Sequence, residues 1–138
     1  ILNDDFPLLS LITTLGANFA VGNTSIIVPG QNTSLLSTEL YQLLETSDVP
    51  AGYINILTTK QNSLNKILSE HENIDGIWYF SENNNERLKV IQSTTSNLKR
   101  TWCPQSKNLD WSSKEEDFLE EFLYQSTQVK NIWIPYGE

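Results

Sequence analysis

The sequence contains one histidine and one cysteine, the residue types that most often act as general base and thiol nucleophile. His71 lies between Glu70 and Glu72 and could act as a base, but its place just before a predicted strand favours a helix end or a surface position. Cys103 lies beside Pro104 with no histidine near it in the sequence, which favours a buried structural thiol. One histidine and one cysteine cannot form a structural zinc site on their own.

Acidic residues and glycines offer the other routes to chemistry. Five carboxylates fall within one short stretch and could hold a cation, but the stretch is amphipathic and favours a solvated helix face. These residues are Glu115, Glu116, Asp117, Glu120 and Glu121. The chain has only 6 glycines and no glycine-rich phosphate loop or nucleophile-elbow motif. The residues alone therefore predict no metal site and no catalytic constellation.

Length and charge bound the remaining possibilities. A chain of 138 residues and 15.7 kDa has room for one domain. Its 9 basic and 17 acidic residues give a net charge of −8, which argues against binding to a nucleic-acid backbone. No stretch is long and apolar enough to span a membrane. The lack of methionine and the start at Ile1 predict a piece excised from a longer chain.

The elements that must position any site alternate along the chain. Helices are predicted over Leu8–Val21, from Ser34 through Leu44, over Ser63–Leu68, over Glu86–Thr95 and over Glu115–Tyr124. The Asn83–Asn85 run is expected to form a turn and a helix start. Strands are predicted over Ser25–Val28, Tyr53–Leu57, Gly76–Phe80, Lys99–Cys103 and Val129–Ile134. Trp133 is expected in the core, and the alternative is that Trp102, Trp111 and Trp133 form a partner surface. The alternation predicts an α/β fold with an open, mostly parallel sheet of about five strands and helices on both faces.

Several segments occur in the order and spacing of a known family. They are Phe6–Leu9, Gly22–Thr24 before a strand ending at Pro29, Val49–Thr58, Ile74–Ile77 and Ser96–Arg100. Together they resemble the cofactor-binding domain of aldehyde dehydrogenases across roughly residues 5 to 103. The resemblance implies a Rossmann-like sheet. Trp78–Phe80, Asn97–Lys99 and Ile132–Gly137 look closest to the degenerate second unit of family 16 aldehyde dehydrogenases.

The resemblance also implies where a dinucleotide would bind, and the sequence departs from the family there. The family has an oxyanion-donating asparagine where this chain has Asp5, whose carboxylate would repel an oxyanion. The lysine and glutamate that hold the adenosine ribose in the family align with Val28 and Gln31. A family glycine aligns with Thr59.

The phosphate-binding and catalytic positions differ in the same way. The turn that receives the pyrophosphate in the family carries Glu82 here, which puts negative charge where phosphates would arrive. The family's catalytic glutamate aligns with Pro104, which cannot act as a base, and no cysteine follows Cys103. The resemblance thus implies no catalytic residue, no cofactor-binding residue, no bound cofactor because the ancestral NAD site is lost, and no metal ligand.

Three functions are compatible with these features. The favoured one is a catalytically inactive, dehydrogenase-like pseudoenzyme that acts as a structural, oligomerisation or partner-binding scaffold. The second is a rebuilt nucleotide or small-ligand module in which Tyr79, Phe80 and Trp102 stack on a base. The alternative for these three rings is that they pack into the space that the cofactor has left. The third is an accessory part of an NAD-dependent aldehyde oxidoreductase, in which another part of the parent chain does the chemistry.

The resemblance implies a setting as well as a fold. It implies a cytoplasmic, oligomeric protein whose partners are the rest of its own chain, a second copy or another protein, with neither nucleic acid nor membrane. Residues 1–138 are expected to form one domain, with a family-like core over 1–104 and a divergent acidic helix plus last strand over 105–138. The isolated chain is expected to expose apolar surface left by missing strands.

Overall fold

The computed structural model describes residues 1–136, along which helices and strands alternate. The helices are α1 (Pro7–Ala20), α2 (Ser34–Glu45), α3 (Gln61–Glu70), α4 (Asn84–Ser93) and α5 (Glu116–Ser126). The strands are β1 (Ser25–Ile27), β2 (Ile54–Ile56), β3 (Gly76–Trp78) and β4 (Arg100–Trp102). Each of these helices and strands begins and ends within two residues of its predicted bounds. The α/β class predicted from the alternation is confirmed.

All of the strand pairing among the described residues is parallel. β1 pairs with β2 and β3 pairs with β4, which gives two small sheets instead of the single sheet that was predicted. The first two residues of the chain join them. The Ile1 ammonium group donates to the Trp78 carbonyl (2.7 Å), the Phe80 N–H donates to the Ile1 carbonyl (3.1 Å), and the Leu2 N–H donates to the Val28 carbonyl (2.9 Å). The order across the molecule is therefore β2, β1, residues 1–2, β3, β4.

The predicted last strand over Val129–Ile134 is wrong. These residues carry no strand in the structure, and Trp133, expected in the core, is 92% exposed. The prediction used the β-branched and aromatic composition of the segment, whereas a strand also needs a neighbouring edge to pair with. Composition does not reveal whether such an edge is in reach. Gly137 and Glu138, which ended the family 16 resemblance, lie outside the described residues.

Helices cover both faces of the strands, as predicted. On one face α1, α2 and α5 pack over a core rich in aromatic rings, which includes Phe80, Trp111 and Phe122. On the other face α3 and α4 pack over a smaller core, which includes Ile77 and Tyr79. Alternate residues of a strand point to opposite faces, so the run from Ile77 to Phe80 supplies both cores.

The ends of the helices follow from local chemistry. The Asn83–Asn85 run begins a helix, as predicted, because Asn83 is the N-cap of α4. Gly22 follows α1 with a φ of +79°, a conformation that glycine adopts without strain. The C-terminal end of α3 is closed by a cation, because the Lys99 ammonium donates to the carbonyls of Leu68 (3.2 Å) and His71 (2.7 Å). Burial lowers the pKa of Lys99 below its usual range.

Candidate functional site

The carboxyl ends of the strands lie at one edge of the molecule, because every paired strand is parallel. We call this side the carboxyl edge. It is formed by the residues that follow residues 1–2 and the four strands, namely 3–5, 28–31, 57–60, 79–82 and 103–104. Open α/β sheets bind their ligands at this edge. All six family positions inferred from the sequence lie on it: Asp5, Val28, Gln31, Thr59, Glu82 and Pro104.

The loop before α1 is held by short polar contacts. The exposed Asp5 carboxylate accepts a hydrogen bond from Asn3 Nδ2 at 2.8 Å. The neighbouring Asp4 carboxylate accepts from the Asn32 backbone N–H (2.9 Å) and from Asn32 Nδ2 (3.2 Å), which ties this loop to the one that follows β1. The Asp4–Asn32 contact could not be predicted, because the two residues are distant along the chain.

The positions after β1 and β2 offer little to a ligand. The side chain of Val28 is fully buried among apolar neighbours and has no polar atom. Gln31 and Thr59 are exposed. At the same edge, the Gln61 side-chain amide donates hydrogen bonds to the carbonyls of Leu2 and Pro29, the latter at 3.1 Å. Gln61 thereby fastens the start of α3 across the ends of two strands, a role that needs the fold and is not visible in the sequence.

The N-terminal end of α4 is satisfied from within the chain. Asn83 Oδ1 accepts hydrogen bonds from the backbone N–H groups of Asn85 (3.0 Å) and Glu86 (3.4 Å). Next to this cap, the Glu82 carboxylate accepts from the Lys107 backbone N–H (2.6 Å), and its other oxygen lies 3.6 Å from the Lys107 ammonium. The first turn of α4 is therefore capped by a side chain and flanked by a carboxylate.

Behind α4, a buried phenol links two helices. Asn65 Nδ2 of α3 donates to the Tyr79 hydroxyl (3.2 Å), and the hydroxyl donates to the Glu86 carboxylate of α4 (2.9 Å). Burial, together with the hydrogen bond to Glu86, raises the pKa of Tyr79. The hydroxyl therefore stays protonated at neutral pH and acts as a connector between α3 and α4.

The two side chains singled out first have structural surroundings. Burial raises the pKa of the Cys103 thiol to about 11, so the reactive thiolate is scarce at neutral pH. Cys103, predicted to be buried, is partly buried and packs beside the smaller core, and its carbonyl accepts from Arg87 Nε at 2.9 Å. His71 is exposed at the end of α3, also as predicted, and its Nδ1 accepts from the Asn73 N–H. The structure does not bring His71 to the carboxyl edge.

The aromatic side chains near β3 and β4 pack against one another. The Phe80 ring is buried, with its centroid 5.4 Å from Trp102 and 5.2 Å from Trp111. Phe122 of α5 lies 4.9 Å from Trp102 and is also buried. These rings fill the core between the strands and α5. Their packing favours a core role over stacking on a base. They also attach residues beyond 104 firmly to the rest of the molecule.

The acidic stretch of α5 is a solvated face. Its five carboxylate side chains are exposed, with Glu116 and Asp117 in the first helical turn, where negative charge is favourable. Within residues 1–136 no three metal-ligating side chains come together. Over the same range no helix combines the length and apolar character needed to cross a bilayer.

The sequence model of the aldehyde dehydrogenase family matches residues 4–103, which include five of the six positions. The chain belongs to this aldehyde dehydrogenase family. The expected family resemblance is therefore confirmed at family level, over most of the chain.

Individual relatives are more distant. The chain is 30% identical over 98 residues to the NADP/NAD-dependent aldehyde dehydrogenase PuuC of Escherichia coli. The aligned region covers 71% of this chain and 20% of that protein. It is 30% identical over 96 residues to the putative aldehyde dehydrogenase DhaS of Bacillus subtilis and 28% identical over 96 residues to human aldehyde dehydrogenase 1A1. This chain thus spans about a fifth of the length of the curated relatives it matches. No solved structure matches it.

Proposed function

We propose that this chain is a catalytically inactive unit of the aldehyde dehydrogenase family that serves as a scaffold within a larger assembly. The observation that carries the proposal is the first turn of α4. There the Asn83 side chain accepts hydrogen bonds from two backbone N–H groups, and the Glu82 carboxylate lies beside them. A helix N-terminus binds phosphate through free N–H groups and the positive end of its dipole. Here two of the N–H groups are already hydrogen-bonded, and the Glu82 carboxylate offsets the positive end of the dipole.

The carboxyl edge does not fit a dinucleotide at its other positions either. Val28 has no polar atom for a ribose hydroxyl and is fully buried. Each lost charge-assisted hydrogen bond is worth roughly 1.5–3 kcal/mol. Losing the ribose lysine and the pyrophosphate turn together removes roughly 3–6 kcal/mol, or roughly 10²–10⁴ in affinity. A micromolar site would become millimolar or weaker.

The residues needed for aldehyde oxidation are also missing from this chain. A thiol nucleophile needs a low pKa, whereas the pKa of the Cys103 thiol is raised to about 11 and the thiol packs against apolar side chains. Pro104 stands at the position of the family's general base and has no group that accepts a proton. These features support a structural role and give no step of the family reaction to this segment.

The scaffold role implies contact with other protein. Beyond α5 the chain presents a series of large exposed side chains, which are Val129, Ile132, Trp133, Ile134 and Tyr136, each more than 70% exposed. Exposed aromatic and aliphatic groups of this kind are typical of interfaces. We place the chain, on the sequence resemblance, with the degenerate second units of family 16 in a cytoplasmic protein, in contact with the rest of its own chain, a second copy or another protein.

A calorimetric titration tests the proposal. NAD⁺ and NADH are titrated separately into the full chain and into the Glu82→Gln variant, which removes the negative charge and keeps Asn83 in place. We expect neither nucleotide to bind more tightly than about millimolar to either protein, because the α4 cap and Val28 are unchanged. Micromolar binding to the unaltered chain would overturn the proposal in favour of the rebuilt nucleotide module.

A further inference from the structure

We draw no further inference here: the strongest candidate, the cleft of about 530 Å³ that β1 and β3 line on the side opposite the carboxyl edge, carries nothing, because nothing in the structure shows what covers it.

Discussion

The two edges of the strands differ in how their polar groups are satisfied. At the carboxyl edge, side chains of this chain occupy the available groups: Gln61 bonds two strand-end carbonyls, Asn83 caps α4, and Lys107 meets Glu82. At the opposite, amino edge, β1 and β3 line a cleft of about 530 Å³, and the Ile1 ammonium group donates to the Trp78 carbonyl at 2.7 Å. The two edges thus differ in how many of their polar groups are bound by side chains of the chain itself.

The difference separates the fold from the chemistry of the site. Open α/β sheets bind their ligands at the carboxyl edge. In this chain several polar groups of that edge are bound by the chain's own side chains. The α/β fold is thus compatible with different residues at the positions where such a sheet binds its ligand.

The largest effect is expected from the buried amine at the amino edge. The pKa of the Ile1 amine is about 5 in the folded chain and 8.0 when exposed, so between these pH values the unfolded state binds a proton that the folded state does not. Unfolding free energy should therefore fall as the pH is lowered from 8 to 5, by up to about 4 kcal/mol.

Urea unfolding of the unmodified and acetylated chains at several pH values checks this. Acetylation removes the amine and leaves every other titrating group in place, so the difference between the two curves isolates Ile1. If the two proteins show the same dependence on pH, the amine is not buried in solution and the contrast between the edges is weaker than described.

A medium effect is expected at the carboxyl edge from Gln61→Ala. The substitution leaves the carbonyls of Leu2 and Pro29 without their side-chain donor, which makes this edge resemble the amino edge. We expect a loss of about 1–3 kcal/mol in unfolding free energy, measured by urea denaturation. Asn62→Ala, an exposed neighbour on the same helix, is the matched control. Equal losses in the two variants would show that the Gln61 bonds contribute nothing specific.

The smallest effect is expected from Asn83→Ala. Removing the cap frees two N–H groups at the start of α4 and should lower stability by about 1 kcal/mol, seen as a lower urea midpoint. Asn84→Ala tests the next residue, which is exposed and makes no capping contact, and should leave the midpoint nearly unchanged. Asn83→Ser should retain most of the stability, since serine also caps helices. A urea midpoint unaffected by Asn83→Ala would show that the Asn83 cap does not stabilise the start of α4.

Local patterns predicted much of the fold. Alternating apolar runs located all five helices and four of the strands, and the Asn83–Asn85 run marked a helix start. The structure adds that Asp5 and Pro104, which are nearly 100 positions apart, share one edge. The family roles assigned to those positions stay predictions.

Contacts that depend on the packed fold were not predictable. The missing fifth strand shows this, because Val129–Ile134 has strand-like composition and lacks a partner. The bonds of Gln61 and the Asn65–Tyr79–Glu86 chain join residues that come together only after the helices pack. The bonds of Ile1 and Leu2 to both pairs of strands likewise appear only in the packed fold.

The distribution of tryptophan has a spectroscopic consequence. Trp78, Trp102 and Trp111 lie within one cluster of rings, where Trp78 and Trp102 are 5.0 Å apart, whereas Trp133 is 92% exposed. The chain therefore carries two distinct fluorophore populations. A water-borne quencher such as iodide reaches the red-shifted Trp133 emission first, and the clustered indoles exchange excitation among themselves. Light emission thus reports separately on the tail, where a partner would bind, and on the interior.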